Sequence, residues 1–320
     1  MKKRNKILII TAAILCVVGA VLGTVGLGMM SFDFAKLSTQ KLETSTYEIK
    51  DPFTKIVVDI NTADLEIAIS EDETCKVVCH ERQNERHRAS VKDRVLVIDT
   101  VREAEWYEYI GVAIGKAKVT LYLPKPEYDS LSAELSTGDI RISGGFKIKS
   151  LEIETDTGDV SLSAGMFDNA DISTDTGDID IATTETKNIK IETDTGKLRA
   201  VQLSCERFES ESDTGDVMIE KVSALKSIYV VSNTGDVSVI SSNAPIMRVR
   251  TTTGDVKLSS ADADEYMWIK TDTGDVSGSL GSEKKFDVKT STGKIKVPAS
   301  SGNEKCEIIT STGDINLVID

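Results

Sequence analysis

The chain has 320 residues and a formal net charge of −14 at pH 7, from 52 acidic and 38 basic side chains. This acidic balance argues against binding to nucleic acid and against direct electrostatic docking on anionic lipid. The sequence has only two histidines and contains neither a phosphate-binding loop nor a G-x-S-x-G motif, which disfavours most catalysts that pair a nucleophile with a base. We therefore expect a protein that is not an enzyme and uses no cofactor.

The N-terminus combines a basic tail with a long apolar segment. Residues 1–6 carry four basic side chains and are expected to form a cytoplasmic tail. Residues 7–30 have no charged side chain, and as a helix they would extend about 36 Å, enough to cross a bilayer. Because no clear small-x-small cleavage site follows, the segment is predicted to be an uncleaved transmembrane signal anchor. The basic flank predicts a single-pass protein of the cell membrane whose N-terminus is cytoplasmic and whose bulk is extracytoplasmic.

Two less regular regions follow the apolar segment. Residues 31–50 are mixed and polar and are expected to form a stalk. Residues 51–130 are expected to form an irregular β region that caps the rest of the fold, with Ala63 at the place where later motifs have glycine. Within this region the content of β-branched residues predicts strands over 74–79, 94–100 and 117–123.

The cap region also contains both histidines and two cysteines. Cys75, Cys79, His80 and His87 are close in sequence, but their spacing fits no zinc motif and the cysteines fit the buried face of one strand. No metal site is therefore predicted from them. The aromatic-rich segment 105–112 is expected to pack over the cap; a loop that binds a partner or touches the membrane is the alternative.

Residues 131–320 contain one short motif ten times, most completely as T-D-T-G-D-[VI], with its glycines 19 or 20 residues apart. A period this short is typical of a solenoid, in which each coil buries its apolar side against the next. Apolar and polar residues alternate on both sides of the glycine, which predicts a strand, a corner and a second strand. The sequence therefore predicts an all-β fold, a single-chain parallel β-solenoid of about ten coils of 19–20 residues, preceded by one transmembrane helix. The predicted corner glycines are Gly138, Gly158, Gly177, Gly196, Gly215, Gly235, Gly254, Gly274, Gly293 and Gly313.

Each residue of the motif has a predicted role in the corner. Glycine accepts a positive φ without a Cβ penalty, and the aspartate that usually follows can hydrogen-bond to nearby backbone. The threonine before the glycine and the hydroxyl residue two positions earlier are both expected to point inward, so that hydroxyls can bond between coils. The aspartates are expected to be solvated; weak binding of a divalent cation is the alternative, because hard cations favour carboxylate oxygens. The candidate cation ligands are Asp159, Asp178, Asp216, Asp236, Asp255 and Asp275.

The chain finishes as a strand directly after the last corner. Residues 314–320 are apolar in alternation and are followed by no helix, proline or divergent segment. An uncovered edge strand presents unpaired N–H and C=O groups to other chains. We therefore hypothesise that the C-terminal coil is an open edge used for self-association or for adding a partner's strand. Coil twist together with the terminal Asp320 could instead keep this edge monomeric.

Three features together resemble the bacterial β-strand-repeat proteins known as putative adhesins, a family whose function is otherwise unknown. They are the repeated T-D-T-G-D-[VI] corner, the Leu123-Pro124 exit from a strand and the apolar N-terminus. The resemblance covers residues 50 to 320 and includes no catalytic residue. It implies a location at the cell surface and a link to adhesion or to envelope-stress systems.

Three functions are consistent with these observations. A membrane-anchored, non-catalytic binding or adhesin-like module would bind a cell-envelope polymer or protein outside the cell. An accessory or sensor protein of an envelope-stress system would act through a membrane-protein partner that contacts the helix or stalk. The remote alternative is a polysaccharide-active β-helix enzyme, which the nearly constant coil length disfavours because such enzymes build a cleft from long loops.

Overall fold

The computed structural model describes residues 11–12, 14–21, 24–25, 42–82, 85–101, 115–124 and 127–320. Helical backbone is described within the first three of these ranges. In the part of the chain that is described, no helix is both long enough and apolar enough to span a membrane. Much of the predicted anchor, and all of segment 105–112, lie outside the described residues.

The described residues from 42 onward form one sheet of 23 strands. In chain order the strands are β1 (Leu42–Ile49), β2 (Lys55–Thr62), β3 (Asp64–Ile69), β4 (Cys75–Arg82), β5 (Arg86–Lys92), β6 (Val95–Val101), β7 (Lys118–Leu123), β8 (Glu127–Thr137), β9 (Ile140–Ser143), β10 (Lys147–Thr157), β11 (Val160–Ser163), β12 (Met166–Thr176), β13 (Ile179–Thr195), β14 (Leu198–Thr214), β15 (Val217–Thr234), β16 (Val237–Ile240), β17 (Asn243–Thr253), β18 (Val256–Thr273), β19 (Val276–Leu280), β20 (Lys285–Thr292), β21 (Ile295–Lys296), β22 (Lys305–Thr312) and β23 (Ile315–Ile319).

Each repeat is one coil with three straight sides. Inward and outward residues alternate along each side. This alternation is interrupted at three corners: at the glycine, near the sixth residue after it, and again a few residues later. Strands of successive coils pair in parallel, for example β13 with β14 and β14 with β15. The inward side chains of all coils form one continuous hydrophobic core. This confirms the predicted β-solenoid of about ten turns. In the coil that begins at Gly196 the inward residues are Leu198, Ala200, Leu203, Cys205, Phe208, Ser210 and Ser212.

The second corner of each coil, six residues after the glycine, is left-handed without using glycine in most coils. Six consecutive coils place a non-glycine residue there with φ between +46° and +54°. This conformation is uncommon for non-glycine residues and is least favourable for a β-branched one such as Thr183. The sequence predicted a variable outer bend here but not its left-handed backbone. The six residues are Ala164, Thr183, Gln202, Lys221, Ser241 and Ser260.

The cap is a partial coil closed by antiparallel strands. β2 and β3 pair in parallel with β8 and β9, and Ala63 lies beneath Gly138 in the glycine column, as the sequence predicted. β6 and β7 continue the two sides outward. β5 pairs antiparallel with β6 and β4 with β7, and β1 pairs antiparallel with β4. The three predicted cap strands correspond to β4, β6 and β7. Residues 42–49, expected to be part of a stalk, instead form β1, because Tyr47 and Ile49 pack against the core.

The order of the last coils differs from their order in the sequence. β22 pairs with β18 on one side and β20 on the other, and β23 pairs with both β19 and β21. The prediction that residues 314–320 form the open edge is therefore wrong, because the final strand is inserted between two earlier ones. The outermost coil consists of β20 and β21.

This outermost coil has features that discourage pairing with another chain. β21 has only two residues, Lys294 and Lys296 are exposed on either side of Ile295, and Pro298 follows. A short strand, lysines and proline are the devices by which natural sheets protect an edge. Self-association through the C-terminal coil stays a prediction, and any pairing edge would belong to β20 and β21.

A buried lysine fixes the segment that leads into this coil. Lys284 is fully buried, and its Nζ donates to the Ala263 carbonyl and to Ser282 Oγ, both at 2.7 Å. The same nitrogen lies 2.6 Å from Asp262 Oδ1. A buried charge is tolerated when it is paired and hydrogen-bonded, so these contacts hold the chain at the point where it leaves the sequential stacking order.

Candidate functional site

The corner glycines of successive coils form a single column with very close backbone contacts. All ten have φ between +149° and +157°. A Cβ added to Gly215 would lie 1.8 Å from the carbonyl oxygen of Gly196, and one added to Gly235 would lie 2.0 Å from that of Gly215. Glycine is therefore required by the stacking distance between backbones as well as by φ. The predicted structural role of these residues agrees with this geometry.

The threonine column is only partly as predicted. The hydroxyl residue three positions before the glycine points inward, and it donates to the glycine carbonyl of the neighbouring coil, as Thr251 does to Gly235 at 3.0 Å. The threonine directly before the glycine is exposed in every coil, so its predicted inward orientation is wrong. The chain bends between these two positions, and the ladder register skips the residue between them. Two consecutive residues therefore face solvent.

The aspartates after the glycines form a ladder of side chain to backbone hydrogen bonds. Asp236 Oδ1 accepts the backbone N–H of Asp255 at 2.9 Å, and Asp255 Oδ1 accepts that of Asp275 at 2.9 Å. The second oxygen of Asp236 pairs with Lys257 Nζ at 2.6 Å. One carboxylate oxygen per corner thus has a structural partner, while cation binding by this column stays a prediction. Asp159, Asp178 and Asp216 accept from the next coil in the same way.

A group of outward-facing aromatic and arginine side chains lies on the strands that end at the glycine corner. Tyr229, Arg248 and Trp268 occupy the same position in three adjacent coils and are directly paired across β15, β17 and β18. Tyr266 lies two residues from Trp268 on the same outer face. We call Tyr229, Arg248, Tyr266 and Trp268 the aromatic–arginine patch.

Contacts within the patch hold its side chains in place. The Arg248 guanidinium carbon lies 5.4 Å from the ring centre of Tyr229 and 5.9 Å from that of Tyr266, which is cation–π range. Tyr266 Oη donates to Glu307 Oε2 at 3.1 Å. Partial burial, together with this hydrogen bond, raises the pKa of Tyr266, so its hydroxyl stays neutral. The patch therefore places one guanidinium over two tyrosine rings, with Trp268 paired to Arg248 in the next coil.

Three arginines of this outer face have no acidic partner among the described residues. Arg207, Arg248 and Arg250 form no ion pair there, whereas Arg88 and Arg199 on other parts of the molecule do. Residues 241–320 carry ten basic and twelve acidic side chains. The C-terminal part of the solenoid is thus nearly neutral in a strongly acidic protein. The guanidinium groups of Arg248 and Arg250, which lie in this part and have no acidic partner there, can receive an anion.

A groove lies on the same side of the solenoid, in the coils that precede the patch. It has a volume of about 480 Å³ and is lined by residues at equivalent positions of β10, β12, β13 and β14. Its polar lining includes Asn169, Asn188, Lys190 and Arg207 together with the acidic Glu152, Asp171 and Glu209. Asn188 Nδ2 donates to Asn169 Oδ1 at 2.9 Å, which joins neighbouring coils. The line of paired residues continues from Arg207 to Tyr266. We call this the axial groove, because it crosses the strands and runs along the solenoid.

The cap contains a second concave site of about 570 Å³, lined in part by Ile49, Phe53, Cys75 and Tyr128. Phe53 and Tyr128 stack with ring centres 5.8 Å apart. Burial raises the pKa of the Cys75 thiol to about 12, so this thiol is protonated and unreactive at neutral pH. His80 is exposed and bonds to Thr44, away from this site.

Comparison with known proteins identifies the family. The sequence pattern of the Toastrack DUF4097 family matches residues 53–221 and 202–320. The chain belongs to the Toastrack DUF4097 family. This agrees with the resemblance inferred from the repeated corner, and Toastrack membership covers the cap from residue 53 as well as the regular coils.

The chain is also similar to solved bacterial structures. A structure described as a putative adhesin from Bacteroides fragilis is 17% identical, with a TM-score of 0.47, over 87% of this chain and 97% of that chain. A putative lipid binding protein from Parabacteroides distasonis is 13% identical, with a TM-score of 0.39, over 86% and 97% of the respective chains. A putative adhesin from the same organism is 14% identical, with a TM-score of 0.36, over 88% and 98%. No match was found among curated proteins.

Proposed function

We propose that this Toastrack protein is a non-catalytic binding module, held at the outer side of the cell membrane by residues 7–30, that binds an anionic polymer of the cell envelope. The observation that carries the proposal is the aromatic–arginine patch, in which Arg248 lies against two tyrosine rings. The ligand class is a linear polymer that offers both ring faces and carboxylate or phosphate groups.

The chemistry of the patch fits such a polymer. Tyrosine and tryptophan provide large rigid surfaces at a small cost in side-chain entropy, and are common anchors at binding sites. The guanidinium of Arg248 has planar donors that match a carboxylate or phosphate. Because residues 241–320 are nearly neutral, an anion meets less repulsion at the patch than over the rest of this acidic protein.

The stacking of equivalent positions would allow weak individual contacts to add up. Each coil adds equivalent side chains along one line, so an extended polymer can touch several coils at once. Linked contacts of this kind raise the effective concentration of each successive unit. A single short unit of the polymer is therefore expected to bind much more weakly than a long segment.

Sedimentation with isolated cell walls tests the proposal. The full-length chain in mild detergent is mixed with walls that retain, or have been stripped of, their anionic polymers. Wild type is expected to sediment with the former only, and Tyr229→Ala/Trp268→Ala is expected to bind about tenfold more weakly or worse. Tyr122→Ala, which removes a tyrosine that is 37% exposed on β7, is the matched control and should bind as wild type. Equal binding by all three proteins, or to stripped walls, would refute the proposal.

The proposed location has its own test. Protease added to intact cells is expected to degrade residues 50–320 and to spare the basic tail and apolar segment, because the basic flank directs the bulk outward. Protection of the solenoid in cells whose walls admit the protease would mean the opposite orientation.

A further inference from the structure

The interior of the cap brings together three side chains that commonly bind metals. Cys79 and Glu81 lie two residues apart on β4 and both point inward, and His87 on β5 faces them. One potential ligand atom from each lies within 4.8 Å of the other two. Cys79 is fully buried, and Glu81 and His87 are each 2% exposed. In the described part of the chain this is the one group of three or more such side chains at ligand distances.

The hydrogen bonds of this cluster leave one ring nitrogen unsatisfied. Glu81 Oε2 accepts the backbone N–H of His87 at 2.6 Å and lies 3.1 Å from His87 Nδ1, and Oε1 accepts from Ser45. His87 Nε2 is buried and has no hydrogen-bond partner among the described residues. Buried polar atoms are normally paired. His87 Nε2 is thus a buried polar atom for which the described part of the chain supplies no partner.

We propose that Cys79, Glu81 and His87 bind a transition-metal cation of the zinc type inside the cap. Thiolate, imidazole and carboxylate are the ligand types that Zn²⁺ prefers, and three protein ligands leave a fourth position for water or for Ser45 Oγ. Ligand atoms around tetrahedral zinc are roughly 3.5 Å apart, so small side-chain rotations would complete the site. The ligands come from β4 and β5, which belong to different sides of the cap.

Bound metal would therefore join the two sides of the cap. Among the described residues β4 forms ladders with β7 and β1, whereas β5 forms one with β6. A metal between Cys79 and His87 would add to the Glu81–His87 contacts that join β5 to β4 and would thereby close the N-terminal end of the core. The site has a structural role in this account, and it is independent of polymer binding at the aromatic–arginine patch.

Cobalt spectroscopy tests the site. The full-length chain carrying Cys16→Ser, which removes an exposed thiol, is treated with chelator and titrated with Co²⁺ or Zn²⁺. We expect one equivalent of Co²⁺ to produce a thiolate-to-cobalt charge-transfer band, and Zn²⁺ to raise the melting temperature. Cys79→Ser should abolish the band, and His87→Gln should weaken cobalt binding by about tenfold or more.

Two variants of neighbouring residues serve as matched controls. Cys75→Ser removes a buried thiol on the same face of β4, and His80→Gln removes the exposed histidine next to Cys79. Both should bind cobalt as wild type does. Absence of the band in the Cys16→Ser protein, or a band that persists in Cys79→Ser, would overturn the proposal. The first of these outcomes is decisive even if the Cys79 variant does not fold.

Discussion

Single atoms determine the shape of each corner. At Gly235 the backbone has φ +151°, and its α-carbon faces the carbonyl oxygen of Gly215. The hydroxyl of Ser232 also donates to the Gly215 carbonyl at 3.3 Å, so the same two corners are joined by a hydrogen bond and by direct backbone contact. Any side chain at the glycine would separate coils that the hydrogen bond holds together.

Alanine at this position should therefore be severely destabilising. We expect Gly235→Ala to lower the free energy of unfolding by about 3 kcal/mol or more, because Cβ would strain φ and overlap the Gly215 carbonyl. Gly145→Ala is the control, because a Cβ there meets nothing within 4 Å and φ is not left-handed. Urea denaturation of both variants measures the difference, and equal midpoints would contradict the stacking account.

A polar residue interrupts the aliphatic column of the core. Ser210 lies between Ile191 and Val230, is 1% exposed, and has no partner for its hydroxyl among the described residues. Ser210→Val is expected to raise the free energy of unfolding by about 1–2 kcal/mol, because it removes an unsatisfied hydroxyl and buries two methyl groups.

The same substitution at a bonded serine is the matched control. Ser232 is equally buried, but its Oγ donates to the Gly215 carbonyl at 3.3 Å. Ser232→Val should therefore give no stabilisation and should lower the thermal midpoint. A midpoint for Ser210→Val at or below that of wild type would show that the core cannot accept the larger side chain.

Alternation of residue types predicts much of the corner but misses its bends. It correctly locates the glycines, the aliphatic columns and the inward hydroxyl three positions before the glycine. It fails for the threonine directly before the glycine, because alternation assumes a straight strand and the chain bends there. It also cannot reveal the left-handed residue at the second corner, because Thr183, Gln202 and Lys221 carry no glycine-like signal.

At the level of elements, the order of the final coils is the main result that sequence reasoning missed. β20 and β22 both lead into an S-T-G corner, so either could stack on β18 by its hydrophobic pattern. Residues outside the motif decide which of these two strands stacks on β18. Lys284 is buried against Asp262 before β20, and Lys294, Lys296 and Pro298 suit β21 to an exposed edge.

Cysteine pairs can test this order directly. Thr273 is paired with Thr312, which is in turn paired with Thr292. In a Cys16→Ser background, Thr273→Cys/Thr312→Cys should form a disulfide under mild oxidation. Thr273→Cys/Thr292→Cys should not, because residues two strands apart are about 9.6 Å from each other, beyond the roughly 7 Å limit between disulfide-linked α-carbons. Gel mobility after denaturation distinguishes the products, and the reverse result would restore the sequential order.

At the scale of the whole molecule, the candidate binding surface is produced by stacking. Tyr229, Arg248 and Trp268 are separated by 19 and 20 residues, so comparing the same position in each repeat would have shown them as one column. The sequence does not show that the Tyr266 ring of the next coil contacts the Arg248 guanidinium. Nor does it show that this arginine lacks an acidic partner among the described residues. Those properties depend on side-chain geometry across three strands.

The most direct test of the account uses Trp268 as its own reporter. The chain has two tryptophans, so Trp106→Phe leaves Trp268 as the single one. Titration of this full-length variant with soluble fragments of the anionic wall polymer should give a saturable change in tryptophan fluorescence, and the added Arg248→Ala substitution should abolish it. Unchanged fluorescence in a protein that still sediments with polymer-bearing walls would contradict the account, because binding would then occur elsewhere on the molecule.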